Sequence, residues 1–210
     1  MFELGFIFEW DQLTNEFKGN EKKVFRLYEY WCYFELVKIL EEMCNQYREF
    51  DDVFLLSKDK MSLREGRAQK FNLNINDKNI IIYLYYNKTF NKKNSIFKSY
   101  SVEYRPDYSL IIYDGAKRHI LHFDAKYKLD IDGESYKKED IDKMHAYKDA
   151  ILDSVGAYVL YPGKKDEIYY ENDDLISGSV GAFPLNPGDK LENRKELSEF
   201  IYKKILALFD

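Results

Sequence analysis

The sequence predicts an α/β domain in which helices flank a mixed central sheet. A long apolar helix is followed by two predicted hairpins, and a second helix then leads into a short apolar strand. A strand that follows a helical crossover pairs in parallel with the strand before the helix, so the sheet combines antiparallel and parallel pairs. The predicted order is therefore a helix, three or more antiparallel strands, a helix and a strand.

The first helix is predicted over residues 21–49, which contain neither glycine nor proline. Its stretch LYEYWCYFELVKIL is apolar nearly all round, which is typical of a buried helix. Two acids, Glu29 and Glu35, interrupt this stretch. A buried carboxylate is costly unless it is paired or binds a metal, so both are candidate functional residues. Residues 1–20 are interpreted as a lead-in segment and residues 21–210 as one domain, which a chain of 210 residues permits.

The first predicted hairpin pairs residues 71–75 with residues 80–86, whose apolar patterns indicate strands. Residues 76–79, Asn-Asp-Lys-Asn, supply the turn. Polar segments border this hairpin on both sides. Residues 50–70 are predicted to be a solvated connector, and residues 87–99, rich in Lys and Asn, are predicted to be a mobile loop without periodic structure.

The C-terminal half begins with a helix predicted over residues 138–152. A buried strand at residues 156–161 follows it and is expected to pair in parallel with the preceding strand of the sheet. Residues 167–170 and 178–184 are predicted to add short edge strands. A closing helix is predicted over residues 194–208.

The second hairpin, residues 108–113 and 119–127, brings charged side chains to one end of the sheet. An Asp-Gly dipeptide between the strands is a strong hairpin signal. Asp107 lies at the start of the first strand. Asp124 and Lys126 lie two residues apart on the second strand, so their side chains point to the same face. Carboxylate oxygens are the ligands that Mg²⁺ prefers, so the sequence predicts a cation site with a lysine beside it.

Pro106-Asp107 followed by Asp124-Ala125-Lys126, within an α-β-β-β-α-β order, resembles the PD-(D/E)XK nuclease superfamily. Within it, the chain is similar to the branch of the McrC subunit of McrBC-type restriction endonucleases. The resemblance covers about residues 21–163 and implies a restriction-endonuclease-like αβββαβ core.

The resemblance implies roles for further residues. Glu29, in Tyr-Glu-Tyr-Trp, matches the acid that the first core helix places beside the metal, and Glu35 is the competing choice. The backbone carbonyl of Ala125 would be a third metal ligand. Lys143 stands where related branches carry Gln in a Gln-x-x-x-Tyr helix, so Lys143 and Tyr147 are secondary candidates for contacts with phosphate and with the site.

The residues alone leave simpler alternatives open. Either acid of the first helix can form an ion pair with Arg26 or Lys38, as acids near bases on helices commonly do. The helix that carries Lys143 and Tyr147 can be an ordinary amphipathic helix with the tyrosine in the core.

The implied function is hydrolysis of DNA phosphodiester bonds by an endonuclease that uses Mg²⁺, with Mn²⁺ as a substitute. Domains of this kind act with a separate NTPase or specificity subunit in restriction and defence systems, and a homodimer would allow both strands to be cut. Two alternatives stay open: a nuclease for RNA or single strands, and a nuclease-fold module that binds a partner without catalysis.

Composition restricts these functions further. The net charge of −5 argues against DNA binding through bulk charge, so basic groups would have to act locally. No apolar run is long enough to cross a membrane. The two cysteines, Cys32 and Cys44, have neither disulfide-framework nor zinc-site spacing, and a chain with only three histidines argues against a histidine-based site. A reducing cytoplasm is the predicted location.

Overall fold

A computed structural model describes residues 21–45, 54–57, 60–127, 136–187 and 192–209, which form the predicted α/β fold. In the described residues, three helices surround a seven-stranded mixed sheet, and a separate two-stranded hairpin precedes it. The elements in chain order are α1 (Glu21–Cys44), β1 (Phe54–Ser57), β2 (Lys60–Leu63), β3 (Ala68–Ile75), β4 (Lys78–Tyr86), β5 (Tyr108–Tyr113), β6 (Arg118–Ala125), α2 (Lys138–Ala150), β7 (Ser154–Tyr161), β8 (Glu167–Tyr170), β9 (Ser179–Pro184) and α3 (Glu192–Phe209).

The sheet runs in the order β3-β4-β5-β6-β7-β9-β8. Strands β3 to β6 form an antiparallel meander, which confirms both predicted hairpins. Strand β7 pairs in parallel with β6 after the α2 crossover, as the sequence predicted. The conserved handedness of such crossovers places α2 against one face of the sheet.

The two faces of the sheet carry separate apolar cores. Helices α1 and α3 cover one face, where Tyr33, Leu36 and Phe200 pack with strand residues such as Leu121. Helix α2 covers the other face, where Met144 packs among strand residues of the second core. Because side chains alternate along β6, residues 121 and 123 face α1, and residues 120, 122 and 124 face α2. This alternation directs the carboxylate of Asp124 into the interior on the α2 side.

The polar segment 50–70 is not the solvated connector that the sequence predicted. Its described part forms the antiparallel hairpin β1–β2, with register partners from Phe54 opposite Leu63 to Ser57 opposite Lys60. The first residues of β3 also fall within this segment. The prediction failed because charged residues flank two short apolar runs in this segment. Such runs can pair as strands whatever the polarity of their neighbours.

The segment 87–99 is also different from the predicted mobile loop. Phe90 is fully buried, and backbone bridges join it to Tyr104 and join Ser99 to Ile151. The side chains of Asn91 and Asn94 each accept two backbone N–H groups from the residues that follow. Asparagine favours such local turns, so the composition that suggested mobility instead builds a packed segment.

Strand β9 corrects a third prediction, because residues 178–184 were expected at a sheet edge. The strand lies between β7, to which it is parallel, and β8, and all six of its residues are buried. At Gly181 an added Cβ would lie 2.3 Å from the carbonyl oxygen of Glu167, so only glycine permits this close pairing.

The described part of α1 ends at Cys44, earlier than the predicted residue 49, and Asn45 adopts a left-handed conformation with φ of 48°. The predicted lead-in segment 1–20 lies outside the described residues. Among the described helices, none combines the length and apolar character that crossing a bilayer requires.

Candidate active site

The site forms where β5 begins and β6 ends, and Asp124 is its most buried member. The side chain of Asp124 is fully buried, at the penultimate position of β6. Its Oδ2 atom accepts a hydrogen bond from the Lys126 ammonium, two residues further along the chain. Lys143 of α2 lies 3.0 Å from Oδ1 and 3.2 Å from Oδ2, and the Tyr147 hydroxyl lies 3.3 Å from Oδ1. The spacing of four residues brings Lys143 and Tyr147 to one face of α2.

Asp107 reaches the same place from the other strand. Its Oδ2 atom accepts the backbone N–H of Ala125 at 2.8 Å, which ties the start of β5 to the end of β6. Burial, the charge of Asp124 and the charge of Glu29 together hold the pKa of Asp107 well above its ordinary value, although Lys126 opposes this. The two predicted carboxylates therefore share one site, where the charge of Asp124 disfavours ionisation of Asp107.

Glu29 faces this pair from α1. Its Oε1 atom accepts the Tyr86 hydroxyl at 2.6 Å and the Asn87 amide at 3.3 Å, so the end of β4 fixes its position. The hydroxyl of Tyr108 donates to the backbone carbonyl of Glu29, which fastens this turn of α1 to β5. Burial and the Glu29 carboxylate raise the pKa of Tyr86, so its hydroxyl stays a donor to Glu29 at neutral pH.

Lys126 is charged in this environment. Burial acts to lower the pKa of its ammonium, but the charges of Asp124, Asp107 and Asp140 outweigh burial and raise the pKa. Asp140, in the first turn of α2, is itself buried, and burial raises its pKa while Lys126 opposes the shift. Asp140 is not among the residues that the sequence predicted for the site.

A buried, neutral histidine lies next to Asp124 on the same face of β6. His122 is fully buried, its Nδ1 atom lies 2.9 Å from the Ser109 hydroxyl oxygen, and burial lowers the pKa of its imidazole to about 3. Its ring contacts Tyr147 at a centroid distance of 6.2 Å, and Tyr104 packs edge-on against the same tyrosine at 5.8 Å. The Tyr147 ring is therefore held on two sides beneath Asp124.

A polar cleft of about 270 Å³ opens beside the carboxylates. Glu29 and Asp107 line it together with Arg26 and Arg105, and Arg105 also lies 3.0 Å from Glu65. Sequence reasoning did not name the two arginines as site residues, although Arg26 lies three residues before Glu29 on α1 and so shares its face. A larger groove of about 430 Å³ lies between β8 and α3 and contains none of the predicted site residues.

Glu35, the competing acid of α1, is not brought together with Asp107 and Asp124. Its buried carboxylate lies 3.0 Å from Lys38 and 3.6 Å from Arg194 of α3. The ion pair with Lys38 is the simpler alternative that the sequence left open for this residue. Glu35 thus joins α1 to α3, whereas Glu29, less than two turns earlier, faces the cleft.

The donor set suits a hard divalent cation. Two carboxylates meet at the site with a third close enough to raise the pKa of Asp107, and oxygen donors of this kind bind Mg²⁺ and Mn²⁺. Among the side chains that the structure describes, no three acidic, histidine or cysteine groups are grouped closely enough to bind a metal by themselves. Direct ligation would therefore rest on Asp107, Asp124 and a backbone carbonyl, with Glu29 acting through water.

A sequence profile of the PD-(D/E)XK nuclease superfamily matches residues 26–166, which is more than half of the 210 residues. The matched range runs from α1 to just beyond β7 and contains every residue of the site described above. No curated protein and no solved structure matches the chain significantly.

Proposed function

This chain belongs to the PD-(D/E)XK nuclease superfamily, and from that premise we propose that it is a metal-dependent DNA endonuclease. The observation that carries the proposal is the pairing of Asp107 with Asp124 at one end of the β5–β6 hairpin, with the Lys126 ammonium beside them. A purely structural role does not account for this pair, because the fully buried Asp124 carboxylate disfavours the ionised form of Asp107.

Asp107, Asp124 and the carbonyl of Ala125 would hold Mg²⁺, with Mn²⁺ as a substitute, and Glu29 would contribute through water. When bound, such an ion lowers the pKa of a water ligand and offsets charge on the phosphate. Lys126, charged at neutral pH, can orient the attacking water and neutralise the phosphate. Hydrolysis then breaks the bond between phosphorus and the 3′ oxygen, so the product carries a 5′ phosphate and no covalent enzyme intermediate forms.

Arg26 and Arg105 supply the local positive charge that a chain of net charge −5 needs in order to bind a polyanion. Their guanidinium groups line the cleft next to Glu29 and Asp107, where the phosphates flanking the cleaved bond would lie. Arginine forms paired hydrogen bonds with phosphate oxygens, so two of them can orient a strand across the carboxylates.

The proposal includes a place in a restriction or defence system, in the branch similar to the McrC subunit. No Walker A sequence (GxxxxGK[ST]) occurs in the chain, so NTP hydrolysis and target selection would be supplied by a separate NTPase or specificity subunit. A homodimer would allow cleavage of both strands. A cytoplasmic location is in keeping with two cysteines that are both free thiols in the described residues.

The test is cleavage of supercoiled plasmid by the purified chain with Mg²⁺, with Mn²⁺ and with EDTA. The Asp124→Asn variant removes one carboxylate without changing side-chain size, and Asp77→Asn, in the exposed turn at the other end of β4, is its matched control. We expect metal-dependent nicking by the wild type and by Asp77→Asn, and none by Asp124→Asn.

Parallel reactions with single-stranded DNA and with RNA identify the substrate class. Faster cleavage of either than of the plasmid would replace the duplex-DNA proposal by the single-strand or RNA nuclease. A folded protein that cleaves none of the three and binds no divalent ion would instead be a non-catalytic module.

A further inference from the structure

The Asp124 carboxylate has no free acceptor site. An ionised carboxylate offers about four lone-pair positions. Four contacts occupy them: Lys126 at Oδ2, Lys143 at both oxygens and Tyr147 at Oδ1. A divalent cation can therefore reach Asp124 only if one of these donors leaves.

Lys143 is the donor that can leave. Tyr147 is buried and held between His122 and Tyr104, so its hydroxyl has little freedom. Lys126 is tied to the β6 end and three-quarters buried, whereas the Lys143 side chain is 41% exposed. Lys143 also spans both carboxylate oxygens, which is the position that a chelated cation would take.

We propose that Lys143 and the divalent cation compete for Asp124, and that the displaced Lys143 ammonium binds a phosphate of the substrate. This inference rests on the proposed nuclease function. In the metal-free protein Lys143 shares with Lys126 the neutralisation of the buried Asp124 carboxylate. When the cation takes over that neutralisation, the ammonium is released next to the cleft residues, and the Tyr147 ring, 5.1 Å from Nζ, keeps the lysine near the site.

The first experiment measures Mn²⁺ binding without DNA, by electron paramagnetic resonance of the free ion. Removing a competing charge in contact with a carboxylate changes its equilibria by about tenfold or more, so Lys143→Met is expected to bind Mn²⁺ at least about tenfold more tightly than the wild type. Lys138→Met removes an exposed lysine from the same helix and is expected to change the affinity by less than about threefold, because exposed charges are screened.

Lys143→Arg restores the charge and is expected to return Mn²⁺ binding to near the wild-type affinity. Lys143→Gln replaces the Met variant if circular dichroism shows that the latter does not fold. An unchanged dissociation constant in a folded, uncharged Lys143 variant overturns the proposal, and so does an equal gain in Lys138→Met.

The second experiment follows the released ammonium, with a labelled DNA duplex in EDTA. Asp124→Asn frees Lys143 without any metal, so this variant should bind the duplex more tightly than the wild type. Adding Lys143→Met to Asp124→Asn should remove the part of the gain that the freed lysine supplies. Equal affinities of the single and double variants would show that Lys143 does not reach phosphate and would overturn that half of the proposal.

Failure of the inference is distinguishable from failure of the nuclease function. Metal-dependent cleavage with unaltered Mn²⁺ affinity in Lys143→Met rejects the competition and leaves the nuclease intact. Tighter Mn²⁺ binding by Lys143→Met in a protein that cleaves no nucleic acid supports the competition for Asp124 and rejects the nuclease function.

Discussion

Asp124 and Glu35 are both buried carboxylates, and each lies against two cationic side chains. Glu35 pairs with Lys38 and Arg194, and Asp124 pairs with Lys126 and Lys143. Their surroundings differ in one respect. Asp124 has a second carboxylate, Asp107, whose pKa it raises, and Glu35 lies outside this group. An acid between two cations can be a purely structural feature, so the added acid beside Asp124 points to a ligand or a reaction.

Asp107→Asn gives the largest expected effect. The amide keeps the acceptor for the Ala125 N–H and removes the charge, so cleavage should fall by about 10³-fold or more, as for other losses of groups that stabilise the transition state. The free energy of unfolding at pH 7 should rise, because the wild-type carboxylate is desolvated and repelled.

The stability that Asp107→Asn gains depends on pH, because the pKa of Asp107 is raised in the wild type. A group with a raised folded pKa costs no stability below its ordinary value of 3.8, and the cost grows as the pH rises through the folded pKa. The stability difference between wild type and variant, from urea unfolding, should therefore vanish in acid. A variant that is less stable at pH 7 would contradict the repulsion between the two carboxylates.

Glu29→Gln should have an intermediate effect. A residue that orients ligands through water typically costs about 10–100-fold in metal affinity or activity when it is changed. The Tyr86 hydroxyl can still donate to the amide oxygen of Gln, so the fold should remain intact. Mn²⁺ titration and single-turnover cleavage measure the two losses, and unchanged values of both would remove Glu29 from the site.

Glu35→Gln tests the other side of the comparison. We expect cleavage within about threefold of the wild type, and a loss of about 1–3 kcal/mol in the free energy of unfolding, because Lys38 and Arg194 lose a buried partner but remain partly exposed to solvent. Denaturant unfolding and plasmid cleavage on one preparation provide both values. A large loss of cleavage with normal stability would return Glu35 to the list of catalytic candidates.

The smallest effect concerns Lys204, a buried cation that has no ion-pair partner among the described residues. It donates to the carbonyl of Ser177, and burial lowers its pKa to about 8 from 10.5, against the pull of Asp174 and Glu171. The unfolded chain binds the extra proton between these values, so the stability that this group contributes rises with pH from about 8 to 10.5. Lys204→Met should lose this increase in unfolding experiments, and an identical pH profile would contradict it.

Short-range patterns were enough to predict that Asp107 and Asp124 lie together. Alternation along β6 and the hairpin signal placed Asp124 and Asp107 at one end of two paired strands, and the structure has them there. The same patterns could not show which of Glu29 and Glu35 lies at the site. Helix α1 is apolar nearly all round, so its apolar pattern does not identify the face that points to this end of the sheet. Arg194, which binds Glu35, lies on α3, and such long-range pairing leaves no local trace in the sequence.

The errors have a common physical origin. The segments 50–70 and 87–99 were judged by polarity, but backbone pairing in β1–β2 and asparagine-based turns do not require apolar side chains. Strand β9 was placed at an edge because it is short, although its glycine allows a close neighbour on one side and β7 lies on the other.

Because β9 lies inside the sheet, the range that matches the superfamily is shorter than the range that folds as one unit. The superfamily match ends at residue 166, yet β9 and α3 follow it and contribute Phe183, Leu197 and Phe200 to the main core. A chain shortened to the matched range would turn β7 into an open edge and uncover apolar surface. Exposed strands of this kind recruit other chains, so such a fragment would aggregate before its chemistry could be measured.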